Sequence, residues 1–257
     1  MRTSQPGFYQ TVLAPIVFGV AVILLWQGLV TGLAIKAFIL PAPFAIGTEF
    51  AANLQNVFNG MAVTGSNALI GLVIGALLGI ALAIVSALAR LFDEMAAPVV
   101  AALSVVPIVA LAPVLYTMFG AGAETARQLV AALAVFVPVY FNTLKGLRQV
   151  RPVHRDLMRA YAVTSWQATR AVTLPTALPF VFTGLRIASS LAVISALIAE
   201  YFGGPVGGLG KSITSAASSS NYGLAWAYVL GSIILGLAFY CAALLVEKLV
   251  AHQPQHQ

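Results

Sequence analysis

About six stretches of the chain run for some twenty residues or more with almost no charge, and that alone excludes most folds. They cover about 11–31, 61–89, 96–119, 125–146, 177–199 and 222–246. A bilayer core about 30 Å thick takes about 20 apolar residues per helical crossing, so each stretch is long enough to span it. Only 8% of the 257 residues are charged, against 60% hydrophobic, which leaves a water-soluble globule of this size without enough polar surface. Disorder is excluded by the same apolar content, and a disulfide scaffold by the solitary Cys241. The expectation is an all-α polytopic membrane protein of about six transmembrane helices, a single domain over 1–257 with no linker and no internal repeat.

The punctuation between these stretches agrees. The first is longer than a signal-peptide core and no clear cleavage site follows, so it reads as a retained helix. Two prolines in Leu40-Pro41-Ala42-Pro43 stop any helix there. Residues 44–60 then read as a short amphipathic helix at the interface. Gly71, Gly75 and Gly79 lie four apart, one face of the second span, and small residues so spaced let helices approach closely in lipid. The third span holds Pro98, Pro107 and Pro113 and needs neighbours or water for its freed carbonyls. Gly203 to Asn221 read as a Gly/Ser-rich loop, and His252 to Gln257 as a disordered tail.

The net charge of +6 could suggest nucleic acid, but position decides. With the N-terminus inside, the inner segments hold Arg2, Arg90, Lys145, Arg148, Arg151, Arg155, Arg159, Arg170 and Lys248; the outer ones hold Lys36, Arg127 and Lys211. This asymmetry places both termini and residues 147–173 in the cytoplasm. It also leaves no nucleic-acid partner to propose. The expected surroundings are a lipid bilayer around the spans.

The 147–173 loop is the most informative segment. Pro152 suits a first helical turn. From there Val153, Leu157, Ala160 and Tyr161 make an apolar stripe, with Arg151, Arg155, Asp156 and Arg159 on other faces. Thr164-Ser165 can cap a second short helix near Trp166. Two readings follow: a basic helix lying on anionic lipid, or a docking element for a cytoplasmic partner.

The segment resembles the EAA loop of bacterial ABC-importer permeases, whose pattern is E-A-A-x3-G-x9-I-x-L-P. Leu174-Pro175 match its end, Val172 takes the Ile position, Asp156 stands for the Glu and Ala162 for the Gly, while Leu157 and Met158 replace the alanines. Other segments resemble the nitrate/sulfonate/taurine branch of that family. They are Leu40-Pro41-Ala42-Pro43, Ser104 to Pro113, Phe136 to Thr143, Leu174 to Pro179, Gly184 to Ala188 and Ala199 to Gly203, in order over about residues 40 to 210.

The resemblance implies a type I importer permease, working as a homodimer with a second copy. It implies a cytoplasmic ATPase dimer docked on the loop and an extracytoplasmic substrate-binding protein. No cofactor is then bound by this chain, since ATP and Mg belong to the ATPase. Arg155, Asp156, Arg159, Ala160, Ala162, Trp166, Leu174 and Pro175 become the coupling residues. The loss of Gly at 162 matters if the backbone there has positive φ, and not if Ala162 is helical. The implied substrate is a small organic anion such as a sulfonate, taurine or nitrate, or else a thiamine-pyrimidine or riboflavin-type precursor.

Other polar groups are weighed against bland roles. Glu200 either caps loop amides at the interface or gates a cavity mouth. Arg186 must point into protein, either pairing with a carboxylate or facing the pathway. Ser104, Pro107 and Ser190 are the remaining pathway candidates. Asn67, Asn142 and Ser189 are expected to make interhelical hydrogen bonds, and aromatics near helix ends to form the interfacial belt. Gly207-Gly208-Leu209-Gly210-Lys211-Ser212 imitates a P-loop but follows a transmembrane helix and has Pro205 where the first Gly belongs. No catalytic constellation is present, so an enzyme is not expected. A stand-alone secondary transporter or channel is the alternative class; it would need intramembrane titratable groups, and only Glu200 and Arg186 qualify.

Overall fold

The computed structural model describes residues 13–120, 122–204 and 207–251; residues 1–12, Arg2 and the first two of the expected span 11–31 among them, and the tail expectation at His252 to Gln257 lie outside these. All described regular structure is helical. The elements are α1 (Ala14–Gly32), α2 (Pro43–Ala52), α3 (Leu54–Leu88), α4 (Arg90–Val105), α5 (Ile108–Phe119), α6 (Thr125–Arg148), α7 (Pro152–Ala160), α8 (Ser165–Ala168), a π-helical turn (Thr169–Thr173), α9 (Leu174–Phe202), α10 (Leu209–Ser218) and α11 (Tyr222–Ala251).

Five helical stretches are each long and apolar enough to cross a membrane: α1, α3, α6, α11, and the run from Ser165 to Phe202 that contains α9. The expected third span, 96–119, is not one helix. It is broken between α4 and α5, whose axes bend by 104°. Pro107 explains the break: it has no N–H for the Leu103 carbonyl, and the Ala110 amide turns back to the Pro107 carbonyl at 2.7 Å. The second span begins earlier than expected. At 35 residues α3 is about 52 Å long, well beyond the hydrocarbon core, and residues 54–60 are its first turns rather than part of the interfacial helix. Gly203 to Asn221 is not simply a loop, because α10 occupies its second half.

α6 packs along its length between α3 and α9, and these three form the centre. The glycine face does what its spacing implied. A Cβ on Gly71 would collide with Ala131, and one on Gly75 with the Ala132 carbonyl, so α3 and α6 meet backbone to backbone. α1 lies at the edge, almost wholly exposed along its span, and meets α11 through Trp26 and Trp226 at 6.0 Å between ring centroids. The broken span is fastened at both ends. Asp93 of α4 pairs with Arg148 of α6 at 2.7 Å, and the Tyr116 hydroxyl of α5 donates to the Ala199 carbonyl at 3.2 Å. Tyr116 is therefore not part of an interfacial belt.

Candidate functional site

The residues expected to couple lie together in α7, α8 and the start of α9, at one end of the bundle. Pro152 opens α7 at its first turn. α7 closes in a Schellman arrangement: the Ala162 amide donates to the Arg159 carbonyl at 3.0 Å, and the Val163 amide to that of Met158 at 3.2 Å. This closure requires a left-handed residue, and Ala162 has φ +50°. The position the family pattern gives to Gly therefore keeps its Gly backbone here with a side chain added, a strain of about 1–2 kcal/mol. Thr164 then starts α8 with a capping box, accepting from the Gln167 amide at 3.3 Å while its own amide donates to Gln167 Oε1 at 2.9 Å. The π turn joins α8 to α9: the Leu174 amide reaches back to the Thr169 carbonyl, which lets Pro175 sit in the first turn of α9 without a break.

α7 is held away from the bundle. Met158 is its one partly buried side chain. A cavity of about 280 Å³ lies beneath it, lined by His154, Arg155, Arg159 and the ends of α6 and the π turn. A second, of about 460 Å³, is lined by Leu157, Met158, Pro175 and Pro179. The outward side is unpaired: Val153 and Tyr161 are each 72% exposed and Trp166 69%. Arg155, Ala160 and Leu174 are exposed too, and Asp156 and Arg159 make only a loose 3.8 Å pair with each other.

The expected pathway residues are not brought together. Ser104 and Pro107 lie exposed at the α4–α5 break, the Ser104 hydroxyl donating to the Ala101 carbonyl at 2.6 Å. Ser190 faces an apolar groove of about 530 Å³ between α9 and α11, with Ser232 and Tyr240. Arg186 points into protein and pairs with Glu247 of α11 at 3.5 Å. Glu200 has no exposed surface; it accepts from the Gly210 amide at 2.9 Å and the Thr64 hydroxyl at 2.8 Å, which is the amide-capping arrangement.

Sequence reasoning missed the partner of Glu200. Arg127, counted above as an outer-surface charge, is fully buried. It pairs with Glu124 at 2.9 Å and lies 3.8 Å from Glu200. Asn67 of α3 donates to Glu124 and accepts from Gln128 at 3.0 Å, so it bridges helices as expected. Asn142 and Ser189 do not; they bond carbonyls of their own helices. The signal available was the Glu124-to-Arg127 spacing at the head of an apolar helix. The P-loop imitation is resolved as well: Gly210, Lys211 and Ser212 lie inside α10, and Gly208 precedes it in extended backbone (Pro205 and Val206 fall outside the described residues).

Comparison with known proteins agrees with this architecture. Residues 71–252 match the family described as binding-protein-dependent transport system inner membrane component. A riboflavin transport system permease protein of Chloroflexus aurantiacus is 32% identical, covering 88% of this chain and 84% of its own. A putative aliphatic sulfonates transport permease of Bacillus subtilis is 28% identical over 90% and 82%. A nitrate import permease of Synechocystis is 25% identical over 93% and 87%. Among solved structures, an amino acid ABC transporter superposes with a TM-score of 0.64 at 17% identity, over 77% of this chain and 95% of that one; the likeness is one of fold.

Proposed function

The chain belongs to the binding-protein-dependent transport family, as a multi-pass inner-membrane permease component of an ABC importer, and from that premise we propose that its α7–α8 segment receives the stroke of a separate cytoplasmic ATPase. One observation carries this: α7 is amphipathic, yet its apolar Val153, the Tyr161 that follows its last turn and Trp166 of α8 stay largely uncovered among the described residues. Exposed aromatic and aliphatic side chains on a short amphipathic helix that also carries arginines fit a helix-in-groove interface. The ATPase dimer brings ATP and Mg. The long run from Ser165 to Phe202 then carries force from that surface through the π turn into the bundle without a flexible joint. The termini and α7 face the cytoplasm in this reading, and a second copy of the chain completes the pathway.

The α4–α5 break with Ser104 and Pro107, and the α9–α11 groove with Ser190, are the pathway surfaces. A broken helix exposes backbone polar groups that lipid cannot satisfy and water can. Arg186 serves as the fastening of α9 to α11 through Glu247 rather than as an anion guide. The solute is a small anion of the sulfonate, taurine or nitrate kind. A riboflavin-type or thiamine-pyrimidine precursor is the second reading, favoured by the 32% identity to a riboflavin permease. Trp166→Ala, or charge reversal at Arg155 and Arg159, should abolish ATP-coupled uptake in proteoliposomes while membrane insertion is unchanged. Coupled uptake that survives all of these changes refutes the docking surface. Ligand binding by the cognate binding protein identifies the solute.

A further inference from the structure

Glu200 is the one carboxylate among the described residues with no exposed surface, and its two oxygens do different things. Oε2 accepts from the amide of Gly210, in the first turn of α10, at 2.9 Å and from the Thr64 hydroxyl of α3 at 2.8 Å. That hydroxyl oxygen in turn accepts the Leu209 amide at 2.9 Å. Oε1 lies 3.8 Å from the buried guanidinium of Arg127 on α6. The seat is close-fitting: a Cβ on Gly208 would collide with the carboxylate, and one on Gly210 with the Leu197 carbonyl. The Leu209 side chain, fully buried, fills the cleft between α3 and α11 against Gly60 and Gly231. An ionisable group at such a position is retained at a desolvation cost and needs each of these partners.

We infer that Glu200 is a positioning residue for transport: it clamps α10 across the ends of α3, α6 and α9, so that the attachment of α10 depends on the spacing of those helices. The inference rests on the permease reading. A change in the spacing of these helices would leave the carboxylate unable to keep Arg127, Thr64 and Gly210 together, and α10 would be released. A neutral group of the same shape loses the guanidinium attraction and weakens the charge-assisted bonds, releasing α10 without any stroke.

The test uses the whole transporter, permease with its ATPase and binding protein, in proteoliposomes. The background is Cys241→Ala with Ala216→Cys, a position on α10 that is 5% exposed, probed by a membrane-impermeant maleimide. Glu200→Gln and Thr64→Val should each raise the labelling rate about 10-fold or more, as expected for losing a hydrogen bond to a charged group, and lower the solute moved per ATP hydrolysed. Labelling unchanged in both variants overturns the clamp. Faster labelling with unchanged solute per ATP makes Glu200 a purely structural group and overturns its part in transport. If Glu200→Gln yields no folded protein, Thr64→Val, which removes a single hydroxyl, decides alone. An unmutated transporter that shows no ATP-driven uptake defeats the permease reading, while the labelling rates still decide the clamp.

Discussion

The two ends of the bundle handle polar groups in opposite ways. At the α10 end, Glu200, Arg127, Thr64 and Asn67 are buried and bonded across four helices. At the α7 end, arginines, Tyr161 and Trp166 stand exposed over cavities, with a strained alanine holding the turn. One end is bonded among the described residues; the other presents exposed groups that the proposed ATPase would cover. Substitutions should therefore act on stability as well as transport at the first and on coupling alone at the second.

The harshest test of that contrast is Arg127→Met. It strands Glu200 as an uncompensated buried charge and should cost about 3–5 kcal/mol, read as loss of the monodisperse peak in detergent or a collapse of its melting temperature. A protein that melts normally would mean the cluster is not what holds that end. Val153→Ser together with Tyr161→Ser should do the reverse. Stability should stay within about 0.5 kcal/mol, as for ordinary surface changes, while ATP-coupled uptake falls steeply; a large drop in melting temperature would show that α7 packs on its own body after all. The mildest change sharpens the comparison. Ala162→Gly relieves the positive-φ strain, worth about 1 kcal/mol, and should raise the melting temperature by about 2–4 °C with uptake retained. A loss of stability on that exchange would refute the strain.

Fold class and most of the local geometry at the α7 end were legible because they rest on local rules. Span lengths, the glycine face, Pro152 at a first turn and the Thr164 cap each depend on a few neighbouring residues. The broken third span was half legible: the prolines were seen, but only the geometry shows that Pro107 splits the helix and that Pro98 and Pro113 are absorbed within α4 and α5. α10 was read as a loop because glycine and serine are weak helix formers; the bonds from Glu200 and Thr64 and the buried Leu209 supply what its local propensity lacks.

Sequence alone thus determined the solvent of this protein, about how many times it crosses the membrane, and where the exposed basic helix between the spans begins and ends, since hydropathy, charge placement and capping are properties of short segments. Only the tertiary structure decided what Arg127, Glu200 and Arg186 do. A charge in an apolar helix must find a partner, and for Arg127 with Glu200 and for Arg186 with Glu247 that partner sits on a helix about 60 or more residues away in the chain, brought close by packing that no local pattern encodes.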